Sequence, residues 1–300
     1  MQNASIIVVG NEILEGVTLD TNSHWLREFL TGLGGRVRRV VQVRDEQEVI
    51  GAEVRRCRES GELLTFTIGG LGPTSDDVTL PAVSQALGLP MERNEAALAM
   101  VTEAYRKLRE RGVVATDELW PSRLKMAILP RGGRPLLNTV GTAPGVLIEL
   151  AAASWEEPTA ASDQSVTSVD LTGQSQVLIC LPGVPAEMRA IVELSLAEDL
   201  RRRFGNAAYM REDYLTDCRD ESQLASPLAE VRQEFPRVLF KSHAEQAGPD
   251  GRVRITVSSA AGSWDEVRER LAKATARLSA ILARQRILLH NLDEHGSEPA

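Results

Sequence analysis

The sequence has little to offer in sulfur, zinc or histidine chemistry. Its three cysteines, Cys57, Cys180 and Cys218, are odd in number, widely spaced and free of any CxxC pair. That excludes a disulfide framework and a structural zinc site and points to a reducing compartment. His24, His243, His290 and His295 show no metal-ligand spacing, and neither a Gly-x-Ser-x-Gly elbow nor a Ser-His-Asp arrangement occurs. A protein nucleophile is therefore not expected. No apolar run approaches the roughly 18 residues of a membrane span. Nor does Met1-Gln2-Asn3-Ala4 open a basic segment followed by a long apolar run and a cleavage site. The expectation is a soluble, cytoplasmic protein. Clusters of Lys and Arg are also missing: the net charge is −8 with both signs dispersed. Counterion release from nucleic acid or an anionic membrane needs clustered cations, so neither is an expected partner.

What the chain does have is core. With 300 residues and 43% hydrophobic content it can bury one large core and a smaller one. Ile6–Val9 and Leu63–Ile68 read as buried strands, and Val37–Val43 reads as another strand between them. Between them lie helical patterns from Asp20 or Thr21 to Leu33 and from Glu46 to Ser60. That βαβαβ order predicts a mostly parallel sheet with helices on both faces. Further helices are predicted at Leu80–Leu87 and Asn94–Arg111, strands at Met126–Leu129, Val146–Leu150 and Val177–Leu181, and a helix from Pro185 to Phe204. The Ala-, Ser- and Thr-rich stretch Ala151–Gln176 reads as an exposed loop or irregular hairpin. After Gly205 the order becomes βαββαβ: strand 209–216, helix 221–234, strands 237–242 and 252–258, helix 264–283, strand 287–290. This is the plan of a small ferredoxin-like α+β domain. The expected domains are thus 1–204 and 205–290, with a tail at 291–300.

Chemistry concentrates after the third strand, in Gly69-Gly70-Leu71-Gly72-Pro73-Thr74-Ser75-Asp76-Asp77. Gly69, Gly70 and Gly72 let the backbone approach an anion and turn N–H groups toward it, and Thr74 and Ser75 add hydroxyl donors. Asp76 and Asp77 place two carboxylates at the start of the next helix, a seat for Mg²⁺ or another hard cation. The same residues also suit a tight turn and a helix cap, and both readings stay open. The loop is neither a Walker A motif nor a Gly-x-Gly-x-x-Gly fingerprint. A second cluster, Asn138-Thr139-Val140-Gly141-Thr142-Ala143-Pro144-Gly145, offers another backbone nest, or simply a turn. Glu12 and Asp45 follow the first and second strands, and Leu181–Met188 forms a strand-to-helix turn, so four strand ends can converge on one edge.

At these segments the sequence resembles the N-terminal domain of the CinA family, built on the molybdopterin-binding fold of the MoaB, MogA and MoeA proteins. The matching stretches are Gly10–Leu14 with Gly16, Asp20–Asn22, Val43–Asp45, Gly69–Thr79, Asn138–Gly145 and Leu181–Met188. The resemblance implies a three-layer αβα domain, homodimerisation, and metal-dependent hydrolysis of a nucleotide diphosphate such as ADP-ribose to AMP and ribose 5-phosphate. On that reading Glu12, Asp76 and Asp77 hold Mg²⁺, Mn²⁺ or Co²⁺. Asp45 or Glu12 orients the attacking water. Gly69, Gly70, Gly72, Thr74, Ser75, Asn138, Gly141, Thr142 and Gly145 take the phosphates. The related molybdopterin proteins imply the alternative, binding or adenylylation of molybdopterin, with acidic positions like Asp45 and Asp77. The stretch Arg123–Ala127 matches the family only loosely. No segment resembles the family's separate nicotinamide-mononucleotide deamidase domain, so deamidation is not implied.

Overall fold

A computed structural model describes residues 3–150, 175–204, 208–243 and 251–292. It divides into two compact units, the first ending at Phe204 and the second taking up the residues that follow. Among the described residues no helix is long and apolar enough to cross a membrane. The segment 151–174, read from sequence as a loop, lies outside the described residues.

The first unit opens with β1 (Asn3–Val9), the one-turn helix α1 (Asn11–Leu14), α2 (Thr21–Gly32), β2 (Arg36–Val43), α3 (Gln47–Glu59) and β3 (Leu64–Ile68). Asp20 starts α2: its carboxylate accepts the Ser23 N–H at 2.9 Å, which satisfies one of the donors left open at a helix start. There follow α4 (Thr79–Leu87), β4 (Met91–Arg93), α5 (Glu95–Glu110), α6 (Pro121–Leu124), β5 (Ile128–Pro130), β6 (Arg134–Leu136), β7 (Gly145–Leu150) and β8 (Gln176–Leu181). The last helical run is α7 (Pro185–Ile191), a π-helical turn (Val192–Leu196) and α8 (Ala197–Phe204).

Six strands form one sheet in the order β2-β1-β3-β8-β7-β6. β2, β1, β3 and β8 pair in parallel, while β7 and β6 are antiparallel additions at one side. Central strand β3, Leu-Thr-Phe-Thr-Ile, is buried at every position, its two threonines included, because the sheet is covered on both faces. Ile7 and Val9 share a core with Ile50 and Val54 of α3 and Ala82 and Val83 of α4. Ile6 and Val8 are equally buried but stand outside that cluster, as alternation demands of a sheet covered on both faces. Each such side chain contributes about 1.5–3 kcal/mol on leaving water.

The structure corrects one predicted strand. Met126 and Ala127 lie in a 3₁₀ turn with Lys125, and the strand is Ile128–Pro130, paired antiparallel with the short β4 in a separate two-stranded ribbon. Met126 and Ala127 are buried because they pack into the core, not because they alternate in a sheet.

The second unit runs β9 (Ala208–Thr216), a 3₁₀ turn (Glu221–Leu224), α9 (Ala225–Glu234), β10 (Val238–His243), β11 (Arg254–Ala261), α10 (Trp264–Arg284) and β12 (Leu289–Asn291). Its four strands are antiparallel in the order β10-β11-β9-β12. Phe240, Ile255 and Val257 pack against Leu228 and Val231 of α9 and Leu271 and Leu278 of α10.

Candidate functional site

The carboxyl ends of β1, β2, β3 and β8 border one open basin of about 490 Å³ in the first unit. This is where an open α/β sheet presents its ligands, since the loops leaving parallel strands splay apart there. Of the residues nominated from sequence, Glu12, Asp45, Gly69, Gly70, Gly72, Asp76, Asp77 and Thr142 line it. Thr74, Ser75, Asn138, Gly141 and Gly145 do not.

The glycine-rich loop is shaped first by its own packing. Gly69 has φ +108° and lies so close to β1 that an added Cβ would overlap the Val9 carbonyl. Its N–H is spent on Leu181 O at 2.9 Å, and its carbonyl accepts the Thr79 hydroxyl at 2.8 Å. Beyond it, Asp77 closes the turn: its carboxylate accepts the Thr74 backbone N–H at 2.9 Å and the Thr74 hydroxyl at 2.5 Å. Lys125 donates to the Thr74 carbonyl, which ties the loop to α6 and its 3₁₀ turn. Thr74 therefore braces the loop instead of facing a ligand.

The second glycine cluster needs a larger correction. The N–H groups of Val140 and Gly141 are already occupied by Asn138 Oδ1, at 3.1 and 2.8 Å. Asn138 Nδ2 donates to Ala143 O at 2.8 Å and to a Glu187 oxygen at 2.6 Å. A Cβ on Gly141 would overlap the Glu187 carboxylate, so this glycine makes room for an acid, not for a phosphate. Gly145 is buried inside β7, where a Cβ would press on Cys180 O, Ile191 and Leu136. Its role is close packing of the strand.

Glu187, absent from the residues nominated by sequence, thus lines the basin. Burial raises its proton affinity above that of an ordinary glutamate, opposed by the Asn138 amide. The signal available in the sequence was its place two residues after Pro185, in the first turn of a helix that leaves a strand end. Asp45 is raised too: burial acts first, the Asn11 N–H at 2.8 Å opposes it, and the neighbouring carboxylates of Glu12, Asp76 and Asp77 add to it. Asp76 goes the other way. The nearby Thr74 hydroxyl, its own backbone N–H and the charge of Lys125 hold it below the usual carboxylate range. Carboxylates pushed in opposite directions within one cavity are a mark of proton-handling sites.

Five carboxylates and no Lys, Arg or His line this basin. A phosphorylated ligand entering it would be repelled unless a cation came with it. The donor set, all hard oxygens, suits a divalent cation. Among the described residues no three His, Cys, Asp or Glu side chains come together in a metal-holding group. A cation held by Glu12, Asp76 or Asp77 would therefore keep one or two protein carboxylates and fill its shell with water and phosphate oxygens, the habit of Mg²⁺.

Behind the glycine loop lies a smaller cleft of about 250 Å³, sharing Gly70, Leu71, Gly72 and Asp77 with the basin. Its other walls are Leu80, Pro81, Met91, Lys125 and Ile128. An apolar slot beside an acidic basin suits a ligand with a flat ring at one end and phosphate at the other.

Comparison with known proteins agrees with this architecture. A family model described as a probable molybdopterin binding domain matches residues 5–202. A protein of Pyrobaculum arsenaticum is 37% identical over 282 residues, covering 93% of this chain and 94% of its own. One from Aeropyrum pernix is 37% identical over 277 residues, covering 92% and 91%. Among solved structures, the protein CinA with unknown function from Thermoplasma acidophilum is similar at a TM-score of 0.52 and 36% identity, covering 66% of this chain and 99% of its own.

Proposed function

Since the chain belongs to the family of the probable molybdopterin binding domain and is CinA-like, we propose that its basin binds a phosphorylated small molecule bearing a flat heteroaromatic ring, and acts on a phosphoanhydride. The observation that carries this is the pairing of the acidic basin with the apolar cleft across the shared Gly70–Gly72 segment. Phosphate would sit at the basin with a divalent cation, and the ring would lie between Leu80, Met91 and Ile128.

Two readings share that geometry and differ in what attacks the anhydride. In the first, favoured by the family description, the ligand is molybdopterin or a close relative, bound or adenylylated. The attacking group would be the pterin's phosphate. In the second, the ligand is ADP-ribose or a similar nucleotide diphosphate, and water cleaves it to AMP and a sugar phosphate. The specific observation favouring water is that Glu187 lines the basin with its carboxylate held by the Asn138 amide, an arrangement simple binding does not require. A bound divalent cation would supply charge neutralisation and polarise a phosphoryl oxygen.

The deciding experiment incubates the purified chain with ADP-ribose, other nucleotide diphosphates, and ATP with molybdopterin, each with Mg²⁺, Mn²⁺ or Co²⁺, and resolves products by chromatography. AMP and ribose 5-phosphate from ADP-ribose support hydrolysis; an adenylylated pterin from ATP supports transfer. Binding of neither class would remove the proposal. We also propose homodimerisation, which the resemblance to the CinA family implies. Light scattering tests it.

A further inference from the structure

Within the basin one acid is held apart from the rest. Glu12, Asp76 and Asp77 all raise the proton affinity of Asp45. Glu187 is influenced only by burial and by the Asn138 amide. It comes from a different element, α7, which follows β8, the neighbour of β3. Among the described residues the lining holds no Lys, Arg or His to offset its burial. Nearby Arg189 is engaged over the Trp25 ring, its guanidinium carbon 5.5 Å from the centroid.

The orientation of Glu187 is fixed by a residue that is itself held by three other hydrogen bonds. Asn138 Oδ1 accepts two backbone N–H groups of its own loop, Nδ2 donates to Ala143 O, and the remaining Nδ2–H can only point at Glu187 Oε2. Gly141 leaves the space that the carboxylate fills. Oε1 has no protein partner among the described residues. An acid clamped by an amide at the wall of a ligand-sized cavity is placed to exchange a proton there. Asp45 is less suited, because Glu12, Asp76 and Asp77, the acids that would hold a cation, crowd it.

We infer that Glu187 is the general base that takes the proton of an attacking water, with Asn138 as its positioning residue. The inference rests on the hydrolytic reading proposed above and deepens it. A phosphate nucleophile already bears negative charge and needs no base, whereas water does. In the step, the water oxygen forms a bond to one phosphorus of the anhydride while one of its protons passes to the Glu187 carboxylate. The bond from that phosphorus to the bridging oxygen breaks, and the bridging oxygen leaves with the electron pair as part of the second phosphate product. Glu187 then returns its proton to solvent. A base whose burial moves its proton affinity toward neutrality is better matched to water than an exposed glutamate.

The test measures kcat and kcat/KM for ADP-ribose against pH in the full chain, the Glu187→Gln variant and the Asn138→Ala variant. Titration calorimetry gives ADP-ribose affinity, and thermal melting confirms folding. The wild type is expected to lose activity on acidification, with its midpoint above the ordinary glutamate range. Glu187→Gln should lower kcat by roughly 10²- to 10⁴-fold, abolish that acidic limb and leave ADP-ribose affinity within about threefold. Asn138→Ala should move the limb to higher pH, because it removes the hydrogen bond that favours the ionised form. A Glu187→Gln enzyme with wild-type turnover and an intact limb overturns the assignment while leaving hydrolysis standing. An unmoved limb in Asn138→Ala overturns the positioning role. A wild-type chain that turns over no nucleotide diphosphate overturns the hydrolytic reading itself, and the base with it.

Discussion

Asn22 Nδ2 donates to the Gly183 carbonyl at 2.6 Å, joining two residues 161 positions apart. The bond pins the start of α2 to the turn between β8 and α7, so it holds the two loops that flank the basin on either side of β1 and β3. Asn22 is buried, and its Oδ1 finds no partner. Replacement by Ala leaves the Gly183 carbonyl short of a donor and should lower stability by about 1–2 kcal/mol. Asn22→Asp should cost more, because a carboxylate would face a carbonyl oxygen. Urea denaturation of both variants measures the difference. Equal stability of all three proteins would show that the bond contributes nothing.

Gly141→Ala separates two uses of the second glycine cluster. If the cluster cradled phosphate, a methyl group would mainly weaken ligand affinity. Because the added Cβ would overlap Glu187, the expected result is displacement of that side chain, a stability loss of about 1–3 kcal/mol, and a fall in kcat exceeding any change in Kd. Kinetics and calorimetry on the same preparation compare the two.

The pH dependence of stability carries a defined sign at Glu187. Its folded-state proton affinity is raised by burial above the value of an unfolded chain. The folded form therefore binds more protons between the two values, and the group's contribution to stability is complete below about pH 4.5. It is lost as pH rises through the elevated folded value. Glu187→Gln keeps an acceptor for Asn138 and carries no charge to bury. The variant should match the wild type near pH 4 and melt at a higher temperature at pH 7 to 8, as scanning calorimetry across that range would reveal. A variant less stable at pH 7 would contradict the burial argument.

How legible was this site? The parallel strands were readable because β1 ends in the apolar run Ile6–Val9 and β3 sets Leu64, Phe66 and Ile68 between two β-branched threonines. Their ends then located Glu12, Asp45 and the Gly69–Asp77 loop. Glu187 was not readable, because its distinction comes from burial and from an amide 49 residues away. Asn138 and Gly141 were noticed for the right spacing and the wrong partner: glycine and asparagine in a turn mark tight geometry without saying what the space is for. The ribbon at Ile128–Pro130 escaped because a three-residue strand has too few positions to show a period.

Phosphate binding should depend on divalent cations. With Glu12, Asp45, Asp76, Asp77 and Glu187 around the basin, ADP-ribose affinity should fall at least tenfold in chelator, a loss of about 1.4 kcal/mol. Asp45→Asn should recover part of the metal-free affinity by removing one repelling charge. Calorimetric titrations with and without Mg²⁺ decide it, and metal-independent binding would count against the charge argument.

The thiols supply an independent check on packing. Cys180 is wholly buried in β8 and its thiol is pushed up to about 12 by burial; Cys57 in α3 is raised for the same first reason. Since the thiolate is the reactive form, neither should react with a thiol reagent at pH 8 in the native state. Both should react on unfolding, and rapid native labelling at either would mean the core opens.

β8 is the final described strand of the first unit, yet it lies in the interior of the sheet, between β3 and β7. A ribosome that has delivered residues up to Leu150 has therefore produced both flanks of a sheet whose middle is missing. The exposed edges of β3 and β7 must wait for it, a demanding order of assembly in which distant pairing comes late. No shorter nascent chain holds both Asp77 and Glu187, so whatever chemistry the basin performs begins only after this closing strand has slid into place.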